Sequence, residues 1–329
     1  MLQSIGPEAP AGGARDPIPS PRPAVNPVQN DVAPFSRPAT IAGALAVLAH
    51  GPARLVAGGT DLYATGSAAA PTNAETTLVD LGAIAELRGI ARLDDGALWI
   101  GATTTWSEVA AFDGPPVLDA LRAAAREVGG IQIQNRGTVA GNLCNASPAA
   151  DGIPPLLALD ARVVLRSPRG ERRLALTDFV TGPRRTALAA DELVCAVLLP
   201  AQPPGAGSAF AKLGARRYLL ISIAMVAAVV EPAAGADVIE RARIAVGACG
   251  PKPVRLGRLE QRLRGLPAGK IGELAIDADE LVELAPIDDV RASARYRREA
   301  AAVLVRRALG AAWASAVPGA AAATGTELQ

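Results

Sequence analysis

Residues 133–151 read IQNRGTVAGNLCNASPAAD. The stretch holds Gly137 and Gly141, then the short amide and hydroxyl side chains of Asn135, Thr138, Asn142 and Asn145. It ends on Ser147-Pro148 and the carboxylate of Asp151. Neither a helical period nor a strand period fits it, so it is read as one long loop. A loop of this length inside a compact domain is a functional segment or a disordered one. Val139, Leu143 and Pro148 make it apolar enough to pack, and packed backbone must find partners for its N–H and C=O groups. Lining a large polar ligand is one way to supply them.

Two shorter glycine turns flank it. Ala57-Gly58-Gly59-Thr60-Asp61 follows a strand expected over 53–57. Adjacent glycines allow positive φ and expose consecutive N–H groups, a concavity that suits an anion, phosphate above all. A plain tight turn explains the pentapeptide equally well. It is not G-x-G-x-x-G, and no βαβ unit is expected after it. Gly101-Ala102-Thr103-Thr104-Thr105 follows a strand over 97–100, and its hydroxyls taken alone read as helix caps.

Outward from these turns, Thr40 caps a helix over 41–50 that Gly51-Pro52 stops. A strand is expected over 78–81 and a helix over 117–128, closed by Gly129-Gly130. Residues 155–166 read as a helix passing into a strand through Asp160-Ala161. A strand over 192–199 is stopped by Pro200. Beyond a Pro/Gly linker at 201–207 come strands over 208–213, 221–230 and 241–246, a helix over 253–264, and a last helix from 292 to about 309. Strands and helices without regular βαβ alternation indicate α+β. The expected division is a Pro- and Gly-rich tail over 1–33, disordered or irregular, a first domain over 34–206, a second over 207–310 and a tail over 311–329.

Composition removes much of the usual chemistry. The 329 residues carry a net charge of +1 and are 20% charged, which offers no basic field for nucleic acid. No apolar run reaches the ~20 residues of a membrane span, and the N-terminus lacks the order of a secretory signal, so a cytoplasmic protein is expected. The three cysteines, Cys144, Cys195 and Cys249, are too few for an iron–sulfur cluster of the chain's own. Cys144 is read as a small packed residue, the other two as structural. The single histidine, His50, ends a helix as a favourable charge. No triad, metal site, acid, base or nucleophile is nominated, and any redox chemistry falls to a cofactor.

AGGTD at 57–61, GATTT at 101–105 and the long loop at 133–151, in this order, resemble the FAD-binding subunit of the xanthine dehydrogenase and aerobic carbon monoxide dehydrogenase family, the molybdenum hydroxylases. FAKLGARR at 210–217, CGPKPVR at 249–255 and DDVRASARYR at 288–297 continue the resemblance through the second domain. It implies a two-subdomain FAD-binding domain of the PCMH type followed by a smaller α+β C-terminal domain. By the same resemblance, Leu55, Val56, Ala57, Gly58, Gly59, Thr60, Asp61 and Leu62 wrap the FAD phosphates. Thr138, Val139, Ala140, Gly141, Asn142 and Asn145 contact the diphosphate and ribityl chain, and Ala150 with Asp151 reaches the ribose or adenosine end. Gly101, Ala102, Thr103 and Thr104 line the cleft, Val194 sits beside the flavin and Lys212 contacts the cofactor. Val128 stands where some relatives carry an aromatic residue against the isoalloxazine ring. FAD is expected to be non-covalent, because His50 lies outside every matching motif.

The resemblance also implies partners: a large subunit with the molybdenum cofactor and a small one with two [2Fe–2S] clusters, in a heterotrimer or its dimer. Electrons then pass through FAD to NAD or another acceptor. Two other readings are a standalone flavin oxidase or reductase with its own substrate site, and an interaction subunit that has lost FAD. The absence of an obvious substrate-site acid or base opposes the first, and the intact AGGTD and TVAGN turns oppose the second.

Overall fold

Residues 34–64, 76–216, 221–235 and 237–316 are described by a computed structural model; the expected tails over 1–33 and 317–329 lie outside them. The chain begins with β1 (Phe35–Ser36), α1 (Ile41–Ala49), β2 (Ala53–Val56), α2 (Thr60–Ala64) and β3 (Thr77–Asp80). Thr40 caps α1 as expected, accepting from the Gly43 N–H at 3.1 Å. His50 closes it, with Nδ1 2.6 Å from the Ala46 carbonyl oxygen. The three strands form a parallel sheet in the order β1-β3-β2. The Gly58-Gly59 turn therefore opens a parallel crossover, correcting the expectation that no βαβ unit follows it. Strands of two to four residues carry no direction in their side-chain pattern; pairing across the sheet sets it.

Next come β4 (Ile90–Arg92), β5 (Leu98–Gly101), α3 (Trp106–Ala111), α4 (Asp119–Glu127), α5 (Ile131–Gln134), α6 (Val139–Asn145) and α7 (Ile153–Ala158). They are followed by β6 (Arg162–Ser167), β7 (Gly170–Ala175), α8 (Leu176–Phe179), the hairpin β8 (Val180–Gly182) and β9 (Arg185–Thr186), and β10 (Leu193–Leu199). A second sheet runs β4-β5-β10-β6-β7, with β10 antiparallel to both neighbours. Every residue of β10 is buried, which is why its sequence reads as an unbroken apolar run.

The long loop is where the structure departs most from the sequence reading. Residues 133–151 contain the end of α5 and the whole of α6. Thr138 caps α6, its hydroxyl accepting from the Gly141 N–H at 3.2 Å. Ala146, left-handed at φ 45°, ends it. Helices of four and seven residues are shorter than the window in which a 3.6-residue period declares itself.

The remainder is an antiparallel sheet, β11 (Gly207–Leu213), β12 (Ala224–Pro232), β13 (Ile239–Gly247) and β14 (Val254–Arg255), with α9 (Gly257–Arg262) and α10 (Ala294–Ala316). Residues 253–264, expected as one helix, split into β14 and α9 because Val254 and Arg255 pair with the edge of β13. The two faces of β12 serve two cores. Ala227 and Val229 join the first domain's core, while Ala224, Val226, Ala228 and Val230 pack with Leu304, Val305 and Leu309 of α10. That helix runs past Gly310 to Ala316, beyond the end expected near 309 and into the span expected as a tail from 311. Burial of Ala312 and Trp313 in the second core carries the helix beyond the glycine.

Polar contacts tie α4 and the turn before β6 to the C-terminal sheet. Ser208 Oγ accepts from the Ala120 N–H at 2.8 Å. Asp160, left-handed at φ 55°, accepts from Arg243 at 2.8 Å and from Arg255 at 2.7 Å. Burial works against this carboxylate, but the two guanidinium groups outweigh it and hold its pKa below the ordinary value. No helix among the described residues is long and apolar enough to cross a membrane.

Candidate cofactor cleft

Close backbone approach makes the cleft. A Cβ on Gly58 would overlap the Arg136 carbonyl oxygen, so only glycine lets the β2–α2 turn touch the chain between α5 and α6. Gly59 takes φ +74° to turn into α2. Trp106, fully buried, lies beneath, and a Cβ on Gly152 would overlap its ring. A cavity of about 620 Å³ results. Its lining includes residues 55–62, Val128, Thr138, Gly141, Asn142, Asn145, Ala150 and Asp151. A second cavity of about 380 Å³ adjoins it at Leu55, Ala57, Gly141 and Cys144, and is lined by Ala102, Thr103, Ala140 and Val194.

Both α2 and α6 begin at this cleft, and the first N–H groups of α6 find partners outside the helical ladder: Val139 donates to the Thr104 carbonyl at 2.9 Å, Ala140 to the Ala102 carbonyl at 3.2 Å and Gly141 to Thr138 Oγ1 at 3.2 Å. The start of a helix favours negative charge. Asn145 bridges the two helices: its Nδ2 donates to Asp61 Oδ1 at 2.8 Å, and its Oδ1 accepts from Arg184. Asn142 Oδ1 is buried with no hydrogen-bond partner among the described residues, an acceptor that a bound ligand's donor would satisfy. Asp151 accepts from Lys212 Nζ and from Ser222 Oγ, each at 2.7 Å. Desolvation raises the Asp151 pKa against the lowering effect of Lys212. Lys212 Nζ also donates to the Glu127 carbonyl at 3.2 Å, so the second domain reaches the cleft wall through this pair.

A model of the FAD binding domain in molybdopterin dehydrogenase matches residues 28–202. A model of the CO dehydrogenase flavoprotein C-terminal domain matches residues 209–312. The chain belongs to the FAD-binding subunits of the molybdenum hydroxylase family. It is 35% identical over 289 residues to a xanthine dehydrogenase FAD-binding subunit of Escherichia coli, covering 87% of this chain and 98% of the relative. It is 31% identical over 240 residues to the carbon monoxide dehydrogenase medium chain of Hydrogenophaga pseudoflava, covering 72% and 82%. Its fold matches a chain of the reconstituted CO dehydrogenase from Oligotropha carboxidovorans with a TM-score of 0.76 and 29% identity, over 86% of this chain and 98% of that one.

The cleft of this FAD subunit fits its cofactor in kind. The cavities fall within the roughly 300–1,000 Å³ of small-molecule sites, and Asn142 offers an unmatched acceptor. Four of the expected residues line neither cavity. Gly101 is packed where a Cβ would overlap the Leu87 carbonyl oxygen, Thr104 exchanges hydrogen bonds with Gly89 at 3.0 Å, Val139 is fully buried, and Lys212 meets the wall through Asp151 and the Glu127 carbonyl. Thr103, although it lines the smaller cavity, gives its hydroxyl to the Leu87 carbonyl at 2.9 Å. Thr105 caps α3 in a reciprocal pair with Glu108, in line with the capping reading of GATTT.

Trp106 and Arg184 are among the lining residues that escape the sequence reading, and Cys144 is reassigned. Cys144, expected as packed, is exposed to the cleft. Helical spacing puts it on one face with Gly141 and Asn145, while Ala140 and Leu143 face the core. Desolvation by the surrounding walls pushes its thiol up to about 12. Trp106 and Arg184 also line the larger cavity. Trp106 reads in the sequence only as a helix start. Arg184 sits at a hairpin tip with φ 56°, a conformation that no arginine announces. Cys195 and Cys249 are buried, with thiols pushed up to about 11 by desolvation. Arg217 of the Lys/Arg segment lies outside the described residues.

Proposed function

We propose that this FAD subunit holds its flavin non-covalently in the trough between the β2–α2 turn and α6. In this reading it serves as the outlet of a complex with a large molybdenum-cofactor subunit and a small subunit carrying two [2Fe–2S] clusters. The complex is a heterotrimer or its dimer in the cytoplasm, and NAD or another acceptor takes the electrons. The observation that carries the reading is the contact of Gly58 with Arg136, 78 residues on, where two glycine-containing segments close one cleft. Bound FAD would supply the one- and two-electron chemistry that no side chain of this chain offers.

The chain's own residues bind, orient and exclude water. The backbone of residues 55–62 receives the diphosphate. Thr138, Gly141, Asn142 and Asn145 meet the diphosphate and ribityl chain, and Ala150 and Asp151 the adenosine end. Val128, Ala102, Ala140 and Val194 give apolar wall. Lys212 neutralises Asp151, which would otherwise stand as a buried charge beside an anionic ligand. Three cysteines, two of them buried, leave the clusters to a partner chain. The substrate pocket belongs to the large subunit.

The test uses the co-purified complex under anaerobic conditions. Reducing the complex with its substrate should bleach the flavin absorption, and NAD, a quinone or dioxygen offered singly should restore it. A flavin that stays oxidised while the clusters are reduced would sink the electron-transfer reading.

A further inference from the structure

We infer that Arg184 binds the FAD diphosphate, engaging the Asn145 amide oxygen so that cationic charge rather than a bare carbonyl oxygen stands toward the phosphates. This rests on the FAD reading of the cleft. Arg184 lies at the turn between β8 and β9 and lines the larger cavity. Its φ of 56° is left-handed, which is disfavoured for any residue with a Cβ. The conformation is fixed by a bond from its N–H to the Ala146 carbonyl oxygen at 2.9 Å. Ala146 is itself left-handed at φ 45° and closes α6. Two left-handed residues, neither of them glycine, are thus tied to each other at the cleft wall, and strained backbone of this kind gathers at ligand clamps.

The side chain explains what the tie achieves. An amide has one donor end and one acceptor end. The donor end of Asn145 is committed to Asp61 Oδ1 at 2.8 Å. Its acceptor end must therefore meet a donor, and Arg184 provides it. A chain of opposite polarity runs from guanidinium to amide to carboxylate across the hairpin, α6 and α2. Without the guanidinium, an amide oxygen and the Asp61 carboxylate would both face a doubly negative diphosphate, and like charges brought together oppose binding. Arginine carries five N–H donors, so the bond to Asn145 leaves others for phosphate oxygens, where charge-assisted bonds are strong. The other carboxylate of the lining, Asp151, is already matched by Lys212.

The experiment is a fluorescence titration of FAD into the full chain stripped of flavin, for wild type, Arg184→Gln, Arg184→Lys and Arg184→Gly, at two salt concentrations. Thermal unfolding of each flavin-free chain runs alongside. Wild type that takes up no FAD would overturn the cofactor reading itself. With wild type binding, Arg184→Gln should lose at least about tenfold in affinity and show a flatter salt dependence. Arg184→Lys should recover most of both. Arg184→Gly relieves the backbone strain, so it should unfold no earlier than wild type yet bind FAD as weakly as Arg184→Gln. Arg184→Gln within about twofold of wild type would overturn the proposal. So would a loss that Arg184→Lys fails to rescue with the salt dependence unchanged, since that is the pattern of a merely structural residue.

Discussion

The cleft-forming part of the chain and the C-terminal sheet bury backbone by different means. In the C-terminal sheet the strands are seven to nine residues long along β11, β12 and β13. Ladder bonds satisfy their backbone, and apolar side chains of β12 fill a core on each face. Around the cleft the elements are short: α2 has five residues, α5 four and α6 seven. Caps, glycine contacts and side-chain amides do there what ladders do elsewhere, and one buried acceptor, Asn142 Oδ1, has no partner among the described residues. Long ladders hold the C-terminal sheet, whereas caps and close backbone contacts shape the cleft.

Paired substitutions sharpen this contrast. The largest effects come from the two buried tryptophans. Trp106→Ala and Trp313→Ala should each cost about 3–5 kcal/mol in unfolding experiments. Only Trp106→Ala should also weaken FAD binding, and Trp313→Ala should leave the dissociation constant within about twofold. Equal damage to FAD binding by both would erase the distinction between the regions.

Glycine pairs come next. Gly58→Ala forces a Cβ into the Arg136 carbonyl oxygen, and Gly207→Ala forces one against the backbone of Ala312 and Ala316. Each should destabilise by about 1–3 kcal/mol. FAD titration should detect Gly58→Ala strongly and Gly207→Ala barely. A smaller effect is expected from Thr138→Ala, which removes the cap of α6 and should cost about 0.5–2 kcal/mol; Thr138→Ser should restore the loss in the same melting assay.

The smallest effect is on acid stability in the C-terminal domain. The backbone N–H of Arg291 and then the Arg297 guanidinium hold the Asp289 carboxyl down from 3.8 to about 2. A lowered carboxylate pKa stabilises the fold above its unfolded value, and that contribution is lost as pH falls through the folded value. Stability from Asp289 is therefore full above about pH 3.8 and fades toward pH 2. Asp289→Asn should flatten the unfolding midpoint across that window. An unchanged acid slope would remove Asp289 from the account.

The same contrast governs what the sequence made legible. Strand β10, the helix from Ala294 and the apolar run of β12 show themselves because burial on a long element repeats a pattern. The cleft residues were legible as chemistry: glycine pairs, Thr138 and the Asn142 and Asn145 amides all line it. Their local structure was not, because α6 is too short for periodicity and is defined by a cap at one end and a left-handed alanine at the other. The parallel direction of β2 and β3 escaped for a related reason, being set by pairing between short strands. Gly101 and Thr104 carry the look of a binding turn, yet the space beside Leu87 and a bond to Gly89 account for them. Arg184 left no signal at all, since its place depends on a backbone angle and a partner 39 residues away.

The most direct test of the central claim is the visible absorption of the purified full chain before and after FAD is added, repeated on the co-expressed complex. The expected result is an oxidised-flavin spectrum that acid releases into solution, showing a cofactor held without a covalent bond. A chain that stays colourless with FAD, alone and with its partners present, would contradict the account.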